Sequence, residues 1–280
     1  MALESVPAME VSGLTVKFPI RGGVLGKVQN YFTAVENVSF VLESGKILSI
    51  VGESGCGKST LVKSLVGLVP MDCGEFKLFG QKVVKGRVEI AAGTAAGTGM
   101  AQKSCRVSDL VQMIFQDPFS SLNPRQTIAE ILTAPLVARG VKIIDAEARA
   151  RELLERVSLP VDSLQKFPHE FSGGQRQRLC IARSLMVKPK ILLCDEVTSA
   201  LDVSVQAQIL HLLDDLRNEF GLSIVFISHD MQVVRALSDD VLVMYFGHVV
   251  ERGPADVVLT NPQHEYTQKL LASVPTIKRK

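Results

Sequence analysis

The sequence predicts an α/β fold with a mostly parallel sheet, in which a helical segment interrupts the succession of strands and helices. Three observations predict it. An apolar strand pattern at 46–51 runs into a glycine-rich turn and then into a helical stretch at 59–66. Apolar residues recur at helical spacing around 146–157. Strand patterns then return at 191–194 and 223–227, as expected for a sheet that is buried between helices.

The elements before the glycine-rich turn are two strand patterns, at 11–18 and 34–42. The next strand, the turn and the helix follow each other without a gap. This order is the phosphate-binding unit of an α/β fold. The sequence therefore places its first functional region near residue 52.

The middle of the chain changes character. Ala, Glu, Arg and Leu dominate from about 127 to 157, which predicts an inserted helical subdomain. Before it, residues 89–100 are rich in Ala and Gly and have no amphipathic period. We expect an irregular loop at 91–99 and assign no function to it.

The last third of the chain returns to strands and helices. After the strand at 191–194, a helix is predicted at 205–219, followed by the strand at 223–227. The apolar runs 190–194 and 240–246 are far shorter than the roughly 20 residues of a spanning helix. They are therefore interpreted as buried strands. No secretory signal pattern begins the chain, which predicts a cytosolic location.

Charge and cysteine content exclude several classes of function. The 31 basic and 29 acidic residues leave a net charge of +2, which gives no argument for binding nucleic acid. The cysteines, Cys56, Cys73, Cys105, Cys180 and Cys194, show no CxxC pair or zinc-site spacing. We expect reduced thiols that pack like other small side chains.

The first chemical motif is GESGCGKST at 52–60, which fits GxxxxGK[ST] between a strand and a helix. Glycines let backbone N–H groups converge on phosphate oxygens, and the helix N-terminus adds a positive dipole. Lys58 is expected to reach the β- and γ-phosphates, and the Ser59 hydroxyl to ligate Mg²⁺. The predicted phosphate-binding residues are Gly52, Glu53, Ser54, Gly55, Cys56, Gly57, Lys58, Ser59 and Thr60.

A second motif is the pair of carboxylates that ends the strand at 191–194. Asp195 is assigned to the Mg²⁺ shell, and Glu196 is the candidate general base. General-base catalysis typically contributes roughly 10² to 10⁴ in rate. An acidic pair after a strand is common, so this assignment depends on the P-loop upstream.

A third motif, FSGGQRQR at 171–178, precedes a helical stretch. It resembles the LSGGQ signature of ABC ATPases, with Phe171 in place of the leucine, and the resemblance covers nearly the whole chain. It implies a RecA-like P-loop NTPase core with a mostly parallel sheet and an N-terminal antiparallel β part. It also implies a single ATPase domain over 1–255, with the helical subdomain inserted at about 117–180.

The signature of that family lies at a helix N-terminus and binds the γ-phosphate of an ATP held by the opposite subunit. The resemblance therefore implies a dimer with composite sites. The matching positions here are Ser172, Gly173, Gly174 and Gln175.

Three further positions match the family by their place in the sequence. Gln116 resembles the Q-loop glutamine, which senses Mg²⁺ and the attacking water and lies near the membrane partner. The segment 199–202 resembles the D-loop, so Asp202 is expected at the nucleotide interface. His229 resembles the switch histidine, which bonds the γ-phosphate and positions water and Glu196.

Two residues compete for the adenine contact that the resemblance implies. Phe18 occupies the expected place shortly after the first strand pattern. Tyr31 is the alternative, because residues 21–30 look like an insertion that brings it close. Phe18 is favoured, although any aromatic face can stack on a base.

Finer motifs resemble importers of the oligopeptide, dipeptide and nickel class. They lie at 116–125, 168–175, 199–208 and, in a short C-terminal extension at 256–280, at 261–271. One departure is Val197, where a proline usually follows the catalytic glutamate.

This resemblance implies ATP and Mg²⁺ as cofactors and import of small peptides, with nickel chelates, opines or glutathione as alternatives. The implied partners are two transmembrane permeases, a second and non-identical ATP-binding subunit, and an extracytoplasmic substrate-binding protein. No nucleic acid is expected. The implied location is the cytoplasmic face of the bacterial inner membrane.

Two other classes of function share the same core motifs. Soluble ABC ATPases of DNA repair or translation usually carry two cassettes or a long coiled-coil insertion, and these 280 residues have neither. A partner that binds ATP without hydrolysing it is disfavoured by the intact Glu196 and His229.

Overall fold

The structure is a computed structural model that describes residues 6–22, 27–89 and 105–272. The Ala/Gly-rich stretch at 91–99 lies outside the described residues. The strands are β1 Met9–Gly22, β2 Lys27–Leu42, β3 Ile47–Val51, β4 Cys73–Leu78, β5 Gln81–Val84, β6 Arg87–Val88, β7 Cys105–Arg106, β8 Val111–Ile114, β9 Ile191–Asp195, β10 Ser223–Ile227, β11 Asp240–Tyr245 and β12 His248–Pro254.

Helices follow the strands in the alternation that the sequence predicts. They are α1 Lys58–Leu65, α2 Val107–Leu110, α3 Pro118–Ser121, α4 Ile128–Val137, α5 Ile143–Arg156, α6 Gly173–Leu185, α7 Val203–Phe220, α8 Met231–Leu237, α9 Ala255–Thr260 and α10 Glu265–Ala272, with 3₁₀ turns at Val161–Gln165 and Pro168–Glu170. Among the residues described, none of these helices is long and apolar enough to cross a membrane.

The chain divides into two compact units. The first unit comprises Met1–Ser108 and Val225–Lys280, and the second comprises Asp109–Ile224. The first unit contains an antiparallel sheet in the order β2-β1-β4-β5-β6-β7. In this sheet β1 pairs with both β2 and β4, so Met9 lies opposite Leu42 on one side and Leu78 on the other. The predicted N-terminal antiparallel part is confirmed.

The core strands of the first unit belong to a second sheet, in the order β12-β11-β3-β10. β11 runs parallel to β3, and β12 returns antiparallel to β11. All of β3 is buried, which is typical of a parallel strand that is covered on both faces. The apolar pattern that predicted a buried parallel strand at 240–246 is explained by this pairing.

The second unit combines a parallel strand pair with packed helices. β8 pairs with β9 from Val111 opposite Ile191 to Ile114 opposite Cys194, and α4, α5 and α6 pack against one another. The buried residues of α5, from Ala146 to Leu154, recur at helical spacing and form one face. The helical period around 146–157 therefore predicted α5 correctly.

Candidate functional site

The P-loop begins where β3 leaves the core of the first unit. Gly52 follows Val51 with φ of 148°, and a Cβ there would lie 2.2 Å from the carbonyl oxygen of Met244. Only glycine fits this close approach. Around Gly55 a Cβ would meet nothing within 4 Å, so the crest of the loop is open. The loop is therefore closely packed at Gly52 and open at Gly55, on the side where a phosphate chain is expected.

Lys58, the first residue of α1, is buried and folds back over its own loop. Its Nζ donates to the carbonyl oxygens of Gly52 and Glu53, both at 2.8 Å. These carbonyls keep the ammonium inside the loop, where phosphate oxygens would compete for the same protons. The position fits the predicted role of Lys58.

Cys56 lies beside that ammonium, with its Sγ 3.8 Å from Lys58 Nζ. Burial raises the pKa of the Cys56 thiol, and the charge of Lys58 partly offsets this effect. The thiol is therefore protonated at neutral pH, as expected for a reduced packing residue.

His229 lies at the same edge of the sheet as the P-loop. It follows β10, and the N–H of the preceding residue, Ser228, donates to Ile50 O at 3.4 Å. Asp230 caps α8, because its carboxylate accepts the N–H of Gln232 at 2.8 Å. The imidazole is exposed at this edge, which suits a residue that is expected to face a γ-phosphate.

In the second unit, Gln116 and Glu196 lie together. They follow the paired strands β8 and β9, and the carboxyl ends of parallel strands meet at one edge of a sheet. Gln116 Nε2 donates to Glu196 Oε2 at 2.9 Å. Asp195 is the last residue of β9 and directly precedes Glu196 in the sequence. Its side chain is buried.

Glu196 has a strained backbone. Its φ of +48° is in the left-handed region, which glycine favours. Such a conformation costs about 1–3 kcal/mol and is concentrated at functional sites. The side chain on this strained backbone accepts the hydrogen bond from Gln116.

The signature residues open α6. Ser172 Oγ accepts the N–H of Gln175 at 3.4 Å, while Gln175 Oε1 accepts the N–H of Ser172 at 3.0 Å. This capping box fixes the first turn. Gly174 is required, because a Cβ there would lie 2.4 Å from Val205 Cγ1 of α7.

Asp202 lies at the start of α7, against the same signature turn. Its carboxylate accepts the Ser204 hydroxyl at 2.6 Å and the Val205 N–H at 3.0 Å. These hydrogen bonds lower the pKa of Asp202. A Cβ on Gly173 would lie 3.7 Å from Leu201 Cδ2, so Leu201 of the predicted D-loop lies beside the signature turn.

The two candidates for the adenine contact lie on opposite faces of the β1–β2 ribbon. Phe18 pairs with Phe32, and Pro19 pairs with Tyr31. Adjacent residues of a strand point to opposite faces. Phe18, Phe32 and Tyr31 are 39%, 57% and 56% exposed, respectively. A base stacked on Phe18 therefore also lies near Phe32, a residue that the sequence reasoning missed.

The residues assigned to ATP and Mg²⁺ are divided between the units. The P-loop, Phe18 and His229 belong to the first unit, and Gln116, Asp195 and the signature to the second. Among the residues described, no cluster of His, Cys, Asp or Glu could hold a metal alone.

One contact of the P-loop was not predicted from the sequence. The N–H of Glu53 donates to the hydroxyl of Tyr266 at 2.9 Å. The motif at 261–271 contains this tyrosine. It indicated a C-terminal extension, and no role was predicted for the tyrosine.

Comparisons with known proteins give two family matches. The model described as ABC transporter matches residues 35–199, and the model described as Oligopeptide/dipeptide transporter, C-terminal region, matches residues 250–280.

Curated relatives cover nearly the whole chain. Glutathione import ATP-binding protein GsiA of Escherichia coli (strain K12) is 47% identical over 274 residues, which is 98% of this chain and 42% of the relative. GsiA of Pectobacterium atrosepticum is 46% identical over 270 residues, 96% of this chain and 41% of the relative. The chain thus spans less than half the length of these relatives.

Solved structures share the fold. The ATP-binding cassette MJ0796, a dimer in a post-hydrolysis state with ADP and Pi bound, matches with a TM-score of 0.70 and 25% identity over 88% of this chain and 98% of its own. The protein cbiO1 from Clostridium perfringens, part of the ABC transporter complex cbiONQ, matches with a TM-score of 0.70 and 22% identity over 91% and 96%. The predicted fold class is confirmed.

Proposed function

This chain belongs to the ABC transporter family and carries its ATP-hydrolysing domain, and we propose that it energises the import of small peptides. The observation that carries the hydrolytic part is the hydrogen bond from Gln116 to Glu196 at the ends of β8 and β9. The observation that carries the import part is the match of residues 250–280 to the oligopeptide/dipeptide transporter region.

The residues divide the chemistry of ATP hydrolysis between them. The amides of the P-loop and Lys58 hold the phosphate chain. Ser59, Gln116 and Asp195 would hold Mg²⁺, which would supply positive charge to neutralise the charge that develops on the phosphates. Glu196 accepts the proton of the attacking water. Gln116 donates to Oε2 of that carboxylate, which supports its proposed part in orienting the base.

His229 completes the site from the edge of the sheet that carries the P-loop. Its imidazole donates to the γ-phosphate and orients the water toward it. The proximity of Ser228 to Ile50 supports this role, because it brings the end of β10 to the start of the loop.

The signature serves the nucleotide of a second ATP-binding subunit, expected to differ in sequence. Ser172 and the first amides of α6 meet its γ-phosphate, where the helix dipole favours an anion. Asp202 lies against the same turn and joins that interface. The capping box between Ser172 and Gln175 supports this proposal, because it keeps the helix end ordered.

The segment 116–125 forms the joint with two transmembrane permeases. It is bound to the signature helix: the guanidinium of Arg176 lies 4.3 Å from the ring centroid of Phe119, and Arg183 donates to the carbonyl oxygen of Ser121. A displacement of this segment by a permease would therefore pull on α6. The match of residues 250–280 to the oligopeptide/dipeptide transporter region supports a transport ATPase rather than a soluble enzyme of DNA repair or translation.

The proposed domain limits follow from this assignment. One ATPase domain covers 1–255 and includes a helical subdomain at about 117–180, and the extension covers 256–280. The position of α3, α4, α5 and α6 between β8 and β9 supports the subdomain. The importer works at the cytoplasmic face of the bacterial inner membrane, supplied by an extracytoplasmic binding protein.

The cargo is a di- or oligopeptide, with glutathione as the main alternative. Relatives at 47% identity are named for glutathione import, and glutathione is itself a tripeptide. Nickel chelates and opines remain as further alternatives of the same class.

Reconstitution tests the proposal. The chain, the second ATP-binding subunit, the permeases and the binding protein are placed in liposomes, and phosphate release is measured with peptides, glutathione, nickel chelate or no addition. We expect stimulation by a peptide or by glutathione. Glu196→Gln in the same assembly should bind ATP and release almost no phosphate. If no compound stimulates the wild-type complex, import is the wrong function.

A further inference from the structure

The hydroxyl of Tyr266, in the C-terminal region, contacts the P-loop. Tyr266 belongs to α10 and is 8% exposed. Its hydroxyl accepts the backbone N–H of Glu53 at 2.9 Å, across 213 positions of sequence. The P-loop is therefore contacted by a residue, Tyr266, that lies far outside the P-loop motif in the sequence.

The ring of Tyr266 is held by packing. It contacts the ring of Tyr245, with centroids 4.1 Å apart, and Tyr245 contacts Phe246 edge-on at 4.5 Å. Tyr266 also joins a buried cluster that includes Val51, the residue just before the P-loop. The ring thus cannot withdraw from the loop without disturbing the core.

The backbone that carries Tyr266 is held as well. The N–H of Tyr266 donates to His264 Nδ1 at 3.1 Å, and the carboxylate of Glu251 accepts the N–H of Gln263 at 2.8 Å and of His264 at 3.1 Å. Burial raises the pKa of Tyr266, an effect that the hydrogen bond from Glu53 partly offsets. The hydroxyl therefore stays neutral at physiological pH and remains able to accept that bond.

Two hydrogen bonds hold the backbone of Glu53, one on each side of its Cα. The N–H of Glu53 is bound by Tyr266, and the carbonyl oxygen of Glu53 accepts Nζ of Lys58. When a phosphate binds Nζ of Lys58, the carbonyl oxygen of Glu53 loses its hydrogen bond. Of these two bonds, the one between the N–H of Glu53 and the hydroxyl of Tyr266 then remains. The loop then keeps its first turn while its later amides bind the anion.

We propose that Tyr266 is a positioning residue for nucleotide binding, through which the C-terminal extension holds the P-loop in its phosphate-binding conformation. Tyr266 touches neither nucleotide nor water in this role and acts only through Glu53. The proposal rests on the proposed binding of Mg·ATP by the same loop.

The test uses the full chain with Tyr266→Phe, which keeps the ring and removes the hydroxyl. A net hydrogen bond of typical strength corresponds to about a threefold to tenfold change in affinity. We expect the Kd for Mg·ATP and the KM of hydrolysis to rise by that factor, while kcat at saturating ATP is retained. Amide exchange of the 52–58 peptide, measured by mass spectrometry without nucleotide, should become faster.

The matched control is Tyr245→Phe, which removes a hydroxyl from the ring packed against Tyr266 and should leave Kd, KM and loop exchange unchanged. Wild-type KM, kcat and loop exchange in Tyr266→Phe, with wild-type protein binding ATP, would overturn the positioning role alone. Equal changes in both variants would also overturn it, because they indicate a general effect on packing. Absence of ATP binding by the wild type would instead defeat the proposed function.

Discussion

Gln116 Nε2 donates a hydrogen bond of 2.9 Å to Glu196 Oε2, which links the second residue after β8 to the first residue after β9. The bond orients a carboxylate whose own backbone is strained. It also connects the proposed catalytic base to the segment that is expected to meet the permeases, since Gln116 begins that segment.

Removing the base tests its assignment. Glu196→Gln keeps the shape of the side chain and loses the proton acceptor, so we expect phosphate release to fall by about 10² to 10⁴. Affinity for ATP should be retained. Turnover is measured by phosphate release and binding by filtration, and a variant with wild-type turnover would contradict the role of Glu196.

Removing the orienting bond is expected to have a smaller effect. Gln116→Ala removes the hydrogen bond from Gln116 to Glu196 Oε2, so kcat should fall by about tenfold or more, the loss of one hydrogen bond to a charged group. In reconstituted complexes, stimulation by substrate should fall with it. Unchanged kcat and stimulation would show that the bond has no part in the reaction.

The stacked pair Phe119 and Arg176 provides a test of coupling. Phe119→Ala removes a contact worth about 0.5–2 kcal/mol between the permease segment and α6. We expect unchanged ATP hydrolysis by the assembled complex without substrate, and reduced stimulation by substrate in liposomes. Phe119→Tyr keeps an aromatic face and serves as the control, which should behave like the wild type.

The adenine contact is tested by paired substitutions on the two faces of the ribbon. Stacking on one base contributes about 1–3 kcal/mol, so Phe18→Ala should weaken ATP binding by about tenfold or more. Tyr31→Ala should have little effect, because Tyr31 lies on the other face. If only Tyr31→Ala weakens binding, the assignment is reversed.

Cys180 predicts how stability depends on alkaline pH. Burial raises the pKa of its thiol from 9.0 to about 11. Between these values the unfolded chain binds fewer protons than the folded chain, so the free energy of unfolding falls as pH rises from 9 to 11. The fall is up to about 2 kcal/mol for this group. Denaturant unfolding of wild type and Cys180→Ala should show a shallower decline in the variant, and parallel curves would contradict the shift.

Local patterns were enough for much of the fold. The strand at 223–227 is β10 with the same limits, because a short apolar run between a helix and a polar turn has few other interpretations. The helix at 205–219 is found as α7, which begins two residues earlier at the cap formed by Asp202. Residues 91–99 lie outside the described part of the chain, so the expectation of an irregular loop stays a prediction.

The sequence by itself determined the P-loop, the carboxylate pair and the signature, because each motif is a continuous segment whose backbone geometry follows from its own residues. Tertiary structure alone decided that Gln116 bonds Glu196, that Phe18 and Tyr31 face opposite ways, and that Tyr266 holds Glu53. These relationships depend on strand pairing, register and packing between distant segments. Such contacts leave no periodic pattern in a single sequence, since each partner alone resembles an ordinary polar or aromatic residue.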